Sequence, residues 1–239
     1  MSLNIDGVDD TIACPASTKL DNLSPVTYAV WAWPDTAGES SFGRMFDKNQ
    51  FATSWFIRTS ASAPATTDAF ALNIARATTP LTRYSGNGVV TYTGWNHYCF
   101  TWDGILTSNA GARFWKNAIE TAYNASGGAG SGNRTSDATE AQYIGNNSTG
   151  SRTFDGHLAF AHIYNRELRQ NEIRQIMRFP GSITRNLLVF LPLWGISVLD
   201  PDYSGNALNG TVTGAIKGTT EPPINGIFRI PTPQLAGVS

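Results

Sequence analysis

Pairs of carboxylates are the first kind of catalytic group to look for in this 239-residue chain. Hydrolysis of a glycosidic bond generally needs two of them, about 5–10 Å apart. Two carboxylates on one strand face are two residues apart in sequence, and none of the six glutamates has an acidic residue at that spacing. Asp200 and Asp202 do, but they lie in a turn bounded by Pro and Gly, which is typical of solvated turn residues. We therefore predict that the protein is not an enzyme.

Histidine and cysteine, which serve nucleophilic and metal chemistry, are few. His97, His157 and His162 are the three histidines, and the chain has no nucleophile-elbow pentapeptide, so no catalytic triad is predicted. His157 and His162 are five residues apart in a predicted strand, which sends them to opposite faces unless a bulge intervenes. Cys14 and Cys99 lie in apolar runs, where we expect buried free thiols and a disulfide is the alternative.

Three aspartates near the start of the chain could hold a metal ion. Asp6, Asp9 and Asp10 place several hard oxygen atoms within one turn, which is the ligand type that Ca²⁺ prefers. The alternative, which we favour, is a turn with solvated carboxylates. Calcium is the one cofactor that the sequence leaves open.

Aromatic and arginine side chains are the other candidates, because sugars are bound by rings that stack on their C–H faces and by donors to their hydroxyls. Most tryptophans of a β-sandwich are core residues, and we assign Trp31, Trp33, Trp95 and Trp102 to packing. The candidates for glycan contact, which lie at predicted strand ends or in loops, are Trp55, Arg58, Arg76, Tyr84, Trp115 and Tyr123.

The elements that must position these residues are almost all strands. Runs of β-branched and aromatic residues alternate with Gly, Asn, Ser, Asp and Pro clusters through residues 1–164. Both alternating faces of Val26–Trp33 are apolar, which predicts a central strand of a two-layer sandwich. The predicted strands are Leu3–Ile5, Thr11–Cys14, Val26–Trp33, Trp55–Arg58, Phe70–Ala75, Val89–Tyr92, Trp95–Trp102, Ala112–Trp115, Ala141–Ile144 and Leu158–Tyr164.

Three segments differ from this strand pattern. The apolar spacing of Glu167–Phe179 predicts one short helix, with Asn165 or Asn171 as its N-cap. Asn124–Asp137 is rich in Gly and Ser, which predicts a long mobile loop. From Asn186 onward an apolar run is followed by a turn-rich stretch and a Pro-rich tail. We expect this extension to add a strand or strap to the sandwich or to bind a neighbouring subunit.

Composition excludes two classes of partner. The formal net charge is −1 and the 17 Lys and Arg residues are scattered singly, so no basic stripe is available for nucleic acid. No apolar stretch reaches the roughly 20 residues that span a bilayer, so no membrane insertion is expected. The opening MSLNIDGVDD lacks the basic start and apolar run of a secretory signal, which predicts a product made in the cytoplasm without a signal peptide.

Three stretches resemble the concanavalin A-like lectin and laminin-G-like superfamily, in the order of that family. They are LNIDGVDDTIACP at 3–15, GWNHYCFTWDG at 94–104 with ARFWKNAIE at 112–120, and YIGNNSTGSRTFDGHLAFAHIYNRELRQNEIRQI at 143–176. The resemblance implies a jelly roll that usually binds glycans or proteins. Some members hold a structural calcium near their termini, but Ala159 stands where the family often has an acidic residue. The stretch LLVFLPLWGISVLDPDYSGNALNGTVTGA is similar to segments found beside such domains in phage and metagenomic virion proteins.

We therefore predict an all-β protein. Residues 1–180 would form a concanavalin A-like jelly-roll β-sandwich of two antiparallel sheets with one short C-terminal helix, and residues 181–239 a β or strap-like extension that packs on the sandwich or on a partner subunit. The predicted function is a non-enzymatic binding module of a phage virion, such as a capsid decoration, fibre or tail component, that can bind glycans. Its expected partners are virion shell or tail proteins, cell-surface glycans and, in a homo-oligomer, further copies. A free-standing lectin is the alternative, and a glycoside hydrolase comes third.

Overall fold

A computed structural model describes residues 1–48, 55–60, 68–105 and 107–224. Its one α-helix, α1, is Gln170–Arg178, and two 3₁₀ turns lie at Thr18–Leu20 and Glu39–Ser41. The strands are β1 (Leu3–Asp6), β2 (Thr11–Cys14), β3 (Val26–Pro34), β4 (Arg44–Lys48), β5 (Trp55–Ser60), β6 (Ala69–Ile74), β7 (Leu81–Ser85), β8 (Asn96–Trp102), β9 (Ala112–Lys116), β10 (Ile119–Glu120), β11 (Tyr123–Gly128), β12 (Gln142–Ile144), β13 (Asp155–Tyr164), β14 (Leu187–Leu191), β15 (Leu199–Asp200), β16 (Gly210–Thr213) and β17 (Ile216–Lys217).

These strands form two antiparallel sheets, which confirms the predicted all-β sandwich. Sheet A has the order β10-β9-β8-β3-β13-β1-β17, with β14 also paired to β13. Sheet B has the order β11-β7-β6-β5-β4-β12-β2-β16-β15. The side chains between the sheets form the main core, to which sheet A contributes Phe100 and Leu158, and sheet B contributes Phe46 and Ile57.

Strand β3 has the predicted central position, between β8 and β13. Tyr28 and Val30 face the main core, whereas Ala29 and Trp31 belong to a second buried cluster on the outer face of sheet A. Because apolar residues cover both faces of β3, it is buried on both sides. The second cluster is covered by α1, whose Ile173 and Ile176 pack against it.

The extension supplies strands to both sheets. Strand β14 pairs with the second half of β13, beside β1, which pairs with the first half. Strand β16 adds to sheet B next to β2, and β17 adds to the edge of sheet A by pairing Lys217 with Leu3. The apolar run of Leu187–Leu191 is therefore buried against the sandwich by backbone pairing. The domain boundary between residues 180 and 181 stays a prediction.

The predictions for individual strands and loops were less accurate than the prediction of the overall architecture. Val89–Tyr92 is not a strand, because its polar groups bind Asp68: the Val90 N–H donates to the Asp68 carbonyl, and the Tyr92 hydroxyl donates to its carboxylate at 2.6 Å. The predicted loop Asn124–Asp137 begins instead within β11. Strands β4 and β7, which carry charged residues, were missed. Within the described ranges, no helix is long and apolar enough to cross a membrane.

Candidate functional site

The outer face of sheet B, on the side away from the main core, carries a row of candidate ligand-binding residues. Arg58 on β5 pairs with Ala71 on β6, which pairs in turn with Tyr84 on β7. Cross-strand partners point to the same face of a sheet, so the small Ala71 lies between the guanidinium and the phenol. Arg58 and Tyr84 are half-buried, and Ala71 is buried beneath them. The structure thus brings together two of the six residues predicted for glycan contact.

A tight turn before β4 places an aromatic ring beside Arg58. The Arg58 Cζ lies 4.1 Å from the centroid of the Phe42 ring, which is the geometry of a cation–π contact. The turn needs Gly38, whose φ is +74° and where an added Cβ would lie 2.6 Å from the Gly43 Cα and from the Thr153 carbonyl oxygen. A side chain at residue 38 would therefore displace the turn and move Phe42. No pattern in the sequence indicated Phe42 as part of a site.

Two further arginines complete what we call the arginine cluster, Arg44, Arg58 and Arg152. Arg44 pairs across the sheet with Arg58, and its backbone N–H donates to the Arg152 carbonyl. The Arg152 Cζ is 5.8 Å from the Phe42 ring centroid. Burial lowers the pKa of Arg58 to about 10; the nearby Tyr84 opposes this shift and Arg152 adds to it. The guanidinium groups of Arg44 and Arg58, whose pKa values burial lowers only to about 10, stay charged at neutral pH.

Arg76 and Tyr123 lie away from this cluster. The Arg76 Nε donates to the Gly132 carbonyl at 2.8 Å. The Tyr123 hydroxyl donates to Glu120 at 2.7 Å, and the guanidinium of Arg83 lies 3.9 Å from the Tyr123 ring centroid. Both the polar end and one ring face of Tyr123 are thus already used by the protein.

Trp115 belongs to the second buried cluster, on the other sheet. It is 7% exposed, and its indole N–H donates to Thr101 Oγ1 at 3.1 Å. A ligand would reach this ring only after α1 had moved, so we leave Trp115 out of the site. The backbone of Trp55 pairs with Lys48 and Ile74, and its side chain lies outside the described residues.

The four tryptophans assigned to the core fall into two pairs. Trp31 and Trp102 are buried, as predicted. Trp33 and Trp95 are only half-buried and form an aromatic group with His157 on the outer face of sheet A, with ring centroids 6.1–6.4 Å apart. Sequence alternation put Trp33 on the correct face but could not show that α1 stops short of it.

His157 and His162 do not face opposite sides of their strand, because a bulge, the one exception that the prediction allowed, intervenes. The register of β13 against β3 shifts between Ala159 and His162, where Phe160 has a φ of +54°. His157 therefore pairs with Trp33 and His162 with Ala29, which lie on one face of β3. His162 is buried and its Nε2 accepts from the Gly181 N–H, so it has a structural role.

Asp6, Asp9 and Asp10 do come together. Each offers a carboxylate oxygen, and these oxygens lie within 4.8 Å of one another. The Asp10 carboxylate accepts from the Asp6 N–H at 2.9 Å, and the Asp6 carboxylate accepts from Val8 N–H at 2.9 Å. Burial is the main cause that raises the pKa of Asp10, with the charges of Asp6 and Asp9 adding to it. Hydrogen bonds within the turn account for this arrangement, and calcium binding stays a prediction.

The reading of Asp200 and Asp202 as solvated turn residues holds only in part. Both carboxylates organise turns: Asp200 accepts from Leu193 N–H, and Asp202 accepts from the N–H groups of Phe190 and Leu208. Asp200, however, is 4% exposed, and burial raises its pKa to about 6. The two thiols, Cys14 and Cys99, are both free and buried, and burial raises the pKa of each.

Comparisons with known proteins give the same fold. A family model, Laminin_G_3, described as concanavalin A-like lectin/glucanases superfamily, matches residues 6–174. A structure of a candidate carbohydrate-binding protein from Bacteroides ovatus superimposes with a TM-score of 0.64 at 16% identity, covering 93% of this chain and 60% of that protein. The chain thus spans less than two thirds of that structure's length. A search of curated proteins finds no match.

Two more distant structures also align. The heptameric SAP-like pentraxin of Limulus polyphemus gives a TM-score of 0.35 at 12% identity over 72% of this chain and 82% of that one. A botulinum neurotoxin type C structure, whose description concerns interaction with two ganglioside molecules, gives 0.44 at 7% identity over 65% of this chain and 36% of that one. At these values the likeness carries no argument about the site.

Proposed function

Because the chain belongs to the concanavalin A-like lectin/glucanases superfamily, we propose that it is a non-enzymatic module that binds glycans on the outer face of sheet B. The observation that supports this is the row of Arg58, Ala71 and Tyr84. A phenol ring and a guanidinium on either side of a small residue offer a stacking face and planar donors, which are the two groups that sugar recognition uses. Fold alone would not select this face.

Replacement of Tyr84 tests this proposal. We expect Tyr84→Ala to weaken glycan binding about tenfold or more, because the stacking face is lost, while the melting temperature changes little since the side chain is half-buried at the surface. Screening on a glycan array followed by titration calorimetry would measure it. Tyr203→Ala, which removes a half-buried tyrosine that packs on Phe190 and Trp194 in the extension, is the matched control.

The outcomes separate the site from the function. Unchanged affinity in Tyr84→Ala would contradict the proposed site. Absence of binding to any glycan by the unaltered protein would contradict the proposed function itself. Equal weakening by Tyr203→Ala would show that the loss came from stability.

A second, finer proposal is that the module is attached to a larger protein assembly, such as a virion shell, fibre or tail. It is supported by large apolar side chains that stay exposed on the extension: Ile196, Val198, Leu199 and Ile216, with Val198 77% exposed. Leu199 and Ile216 lie on the edge strands β15 and β17, and Ile196 and Val198 lie in the segment just before β15. Exposed apolar patches of this kind are typical of protein contacts.

Native mass by light scattering tests whether these residues join copies of the chain. Deletion of residues 186–239 would be unsuitable, since it removes β14 to β17. We expect the full chain to be an oligomer and the double variant Val198→Asp with Ile216→Asp to be a monomer, because two charges would be buried unpaired at the contact. A monomeric full chain would contradict self-assembly through this surface.

A further inference from the structure

Strand β1 shows which side chains of sheet A point away from the main core. Leu3 lies in that core, so Asn4 and Asp6, at odd separations from it along the strand, point to the outer face. Cross-strand partners share a face, and Asn4 pairs with His157 while Asp6 pairs with Asp155. The outer face therefore has two rows of side chains, about 7 Å apart along the strands.

The row through His157 is aromatic. Trp33 pairs with His157 across the sheet, and the Trp33 and Trp95 ring centroids are 6.4 Å apart and each 6.1 Å from that of His157. All three side chains are half-buried. The Trp95 Nε1 atom is buried, so the exposed part of that side chain consists of carbon. The row thus offers one continuous aromatic surface, with the Asn4 amide at its end.

The row through Asp155 is acidic and carries no counter-charge. Asp35, which is exposed, continues this row beyond β3, because its N–H donates to the Asp155 carbonyl at 2.9 Å. In the described part of the chain, no ion pair involves Asp6, Asp35 or Asp155. One oxygen of Asp6 accepts from the Val8 N–H at 2.9 Å, and one oxygen of Asp155 accepts from the Thr36 hydroxyl at 2.6 Å. The second oxygen of each carboxylate is left for a ligand.

The pairing of Asp6 with Asp155 places two like charges directly opposite each other, which destabilises a sheet. Neighbouring cations do not relieve this repulsion. Lys217 on the edge strand β17 pairs with Leu3 and therefore lies on the other face, and the Met1 amino group pairs with Glu221 at 2.9 Å. A bound cation would lower the repulsion, and the aromatic row beside it also attracts positive charge.

The position of these rows in the sheet favours a sugar over a peptide. An extended peptide binds by adding a strand to a free sheet edge, but β3 lies between β8 and β13, and β13 lies between β3 and β1 with β14. Their backbone groups are thus already paired. A pyranose ring needs only an aromatic face for its C–H groups and acceptors for its polar hydrogens, and the two rows supply these.

From these observations we propose that the outer face of sheet A is a second binding surface, and that it takes a glycan with free amino groups. The ammonium group would bind the free oxygens of Asp6 and Asp155, and the adjoining sugar ring would stack on Trp33 and Trp95. Charge-assisted hydrogen bonds of this kind are about twice as strong as neutral ones. This surface is on the other sheet from Tyr84, so the two glycan proposals stand or fall separately.

The test compares three probes of equal length and the same β-1,4 backbone by titration calorimetry: a glucosamine oligosaccharide, its N-acetylated form and a cello-oligosaccharide. The solution is mildly acidic, so that the amino groups are protonated, and contains EDTA, so that no calcium occupies the aspartates. We expect the glucosamine probe to bind at least about tenfold more tightly than the other two. Its affinity should fall as salt rises from low to physiological concentration.

Asp155→Asn should weaken binding of the glucosamine probe by about tenfold. The amide oxygen can still accept from the Thr36 hydroxyl, and the repulsion with Asp6 is removed. The melting temperature of the unliganded variant should therefore stay the same or rise. Weaker binding without lower stability is a combination that a merely structural role of Asp155 would not produce.

Trp33→Leu tests the aromatic row and should also weaken binding by about tenfold, through loss of the stacking face. If it lowers the melting temperature, Asp155→Asn carries the test alone. Glu140→Gln is the matched control and should change nothing. Glu140 is a half-buried carboxylate in the loop before β12 of sheet B, beyond the Cys14 end of β2. Tyr84→Ala should also leave binding of the glucosamine probe unchanged.

Four results would overturn the inference. They are no binding of the glucosamine probe, equally tight binding of the N-acetylated or cello-oligosaccharide probe, unchanged affinity in Asp155→Asn, and an equal loss in Glu140→Gln. Equally tight binding of an oligolysine peptide with the same number of charges would show general attraction of polycations and would overturn it too. A loss in Tyr84→Ala alone would place the ligand on sheet B, which contradicts this surface and leaves the proposed function standing.

Discussion

Buried charges fix the end of sheet B at the level of single residues. Lys48 and Asp137 are both 0% exposed, and Lys48 Nζ lies 2.7 Å from Asp137 Oδ1 and 2.7 Å from the Leu20 carbonyl oxygen. Arg134 lies 3.3 Å from the other oxygen of Asp137 and donates to the Leu23 carbonyl. The Asp137 carboxylate thus pairs with both Lys48 and Arg134 and connects β4 to two loops. Its position inside a predicted mobile loop is the reason why sequence reasoning missed it.

Removal of the Asp137 carboxylate should lower the free energy of unfolding far more than removal of the Lys48 charge. Asp137→Ala leaves Lys48 and Arg134 buried without their ion-pair partner, and we expect it to lower the free energy of unfolding by about 3–5 kcal/mol. Lys48→Met keeps the volume and leaves Asp137 paired with Arg134 and bonded to the Asn22 N–H at 2.8 Å, so it should cost less than half as much. Urea denaturation would measure both. Equal losses would contradict the sharing.

At the scale of elements, the pattern of apolar residues correctly predicted which faces of strands and helices are buried. The two apolar faces of β3 and the helical spacing of Ile173 and Ile176 both describe burial, and both predictions are confirmed. The helix begins at Gln170, however, with Arg169 and not Asn165 or Asn171 at its N-cap. The Glu172 carboxylate binds the Arg169 N–H at 2.9 Å and also pairs with Arg166. The Glu172–Arg166 ion pair and the bond to the Arg169 N–H therefore fix the start of the helix, without an Asn N-cap.

Site elements were harder to predict because they depend on register and on bulges. Arg58 and Tyr84 were chosen as residues near strand ends, but their alignment through Ala71 follows from pairing across three strands, which a single sequence does not show. Phe42 and Arg152 come from turns whose shape depends on Gly38 and Asn146. The bulge at Phe160, which places His157 and His162 on one face, has no local sequence signal.

For the molecule as a whole, stability should depend on pH through two buried imidazoles. Burial lowers the pKa of His97 and of His162 to about 3, from an ordinary value of 6.5. Their stabilising contribution is therefore present above pH 6.5 and is lost as pH falls toward about 3, because the unfolded chain binds the protons first. Asp47 and Asp200 have the opposite effect, because burial raises their pKa values to about 7 and about 6. The stability that their protonated forms contribute to the fold is lost as pH rises through those values.

A variant separates these opposing effects. Neither ring nitrogen of His97 has a hydrogen-bond partner, so His97→Met should keep the packing while it removes one titrating group. On acidification below pH 6.5, its free energy of unfolding should fall less steeply than that of the unaltered protein, by up to about 1.4 kcal/mol per pH unit. Urea titrations at a series of pH values would show this. Parallel curves for the two proteins would contradict a neutral buried His97.

Pairing between the first and last described strands also sets the order in which the molecule can be assembled during synthesis. The Ser2 hydroxyl donates to the Thr220 carbonyl, 218 residues along the chain, and β1 and β2 find their other neighbours in β12, β13 and β16. A ribosome therefore makes β1 and β2 well before it makes any of the strands that pair with them. Until then Leu3, Ile5 and Ile12 have no core to enter. Such long-range pairing slows folding and exposes the nascent chain to aggregation, so a chaperone would have most to protect in the first two strands.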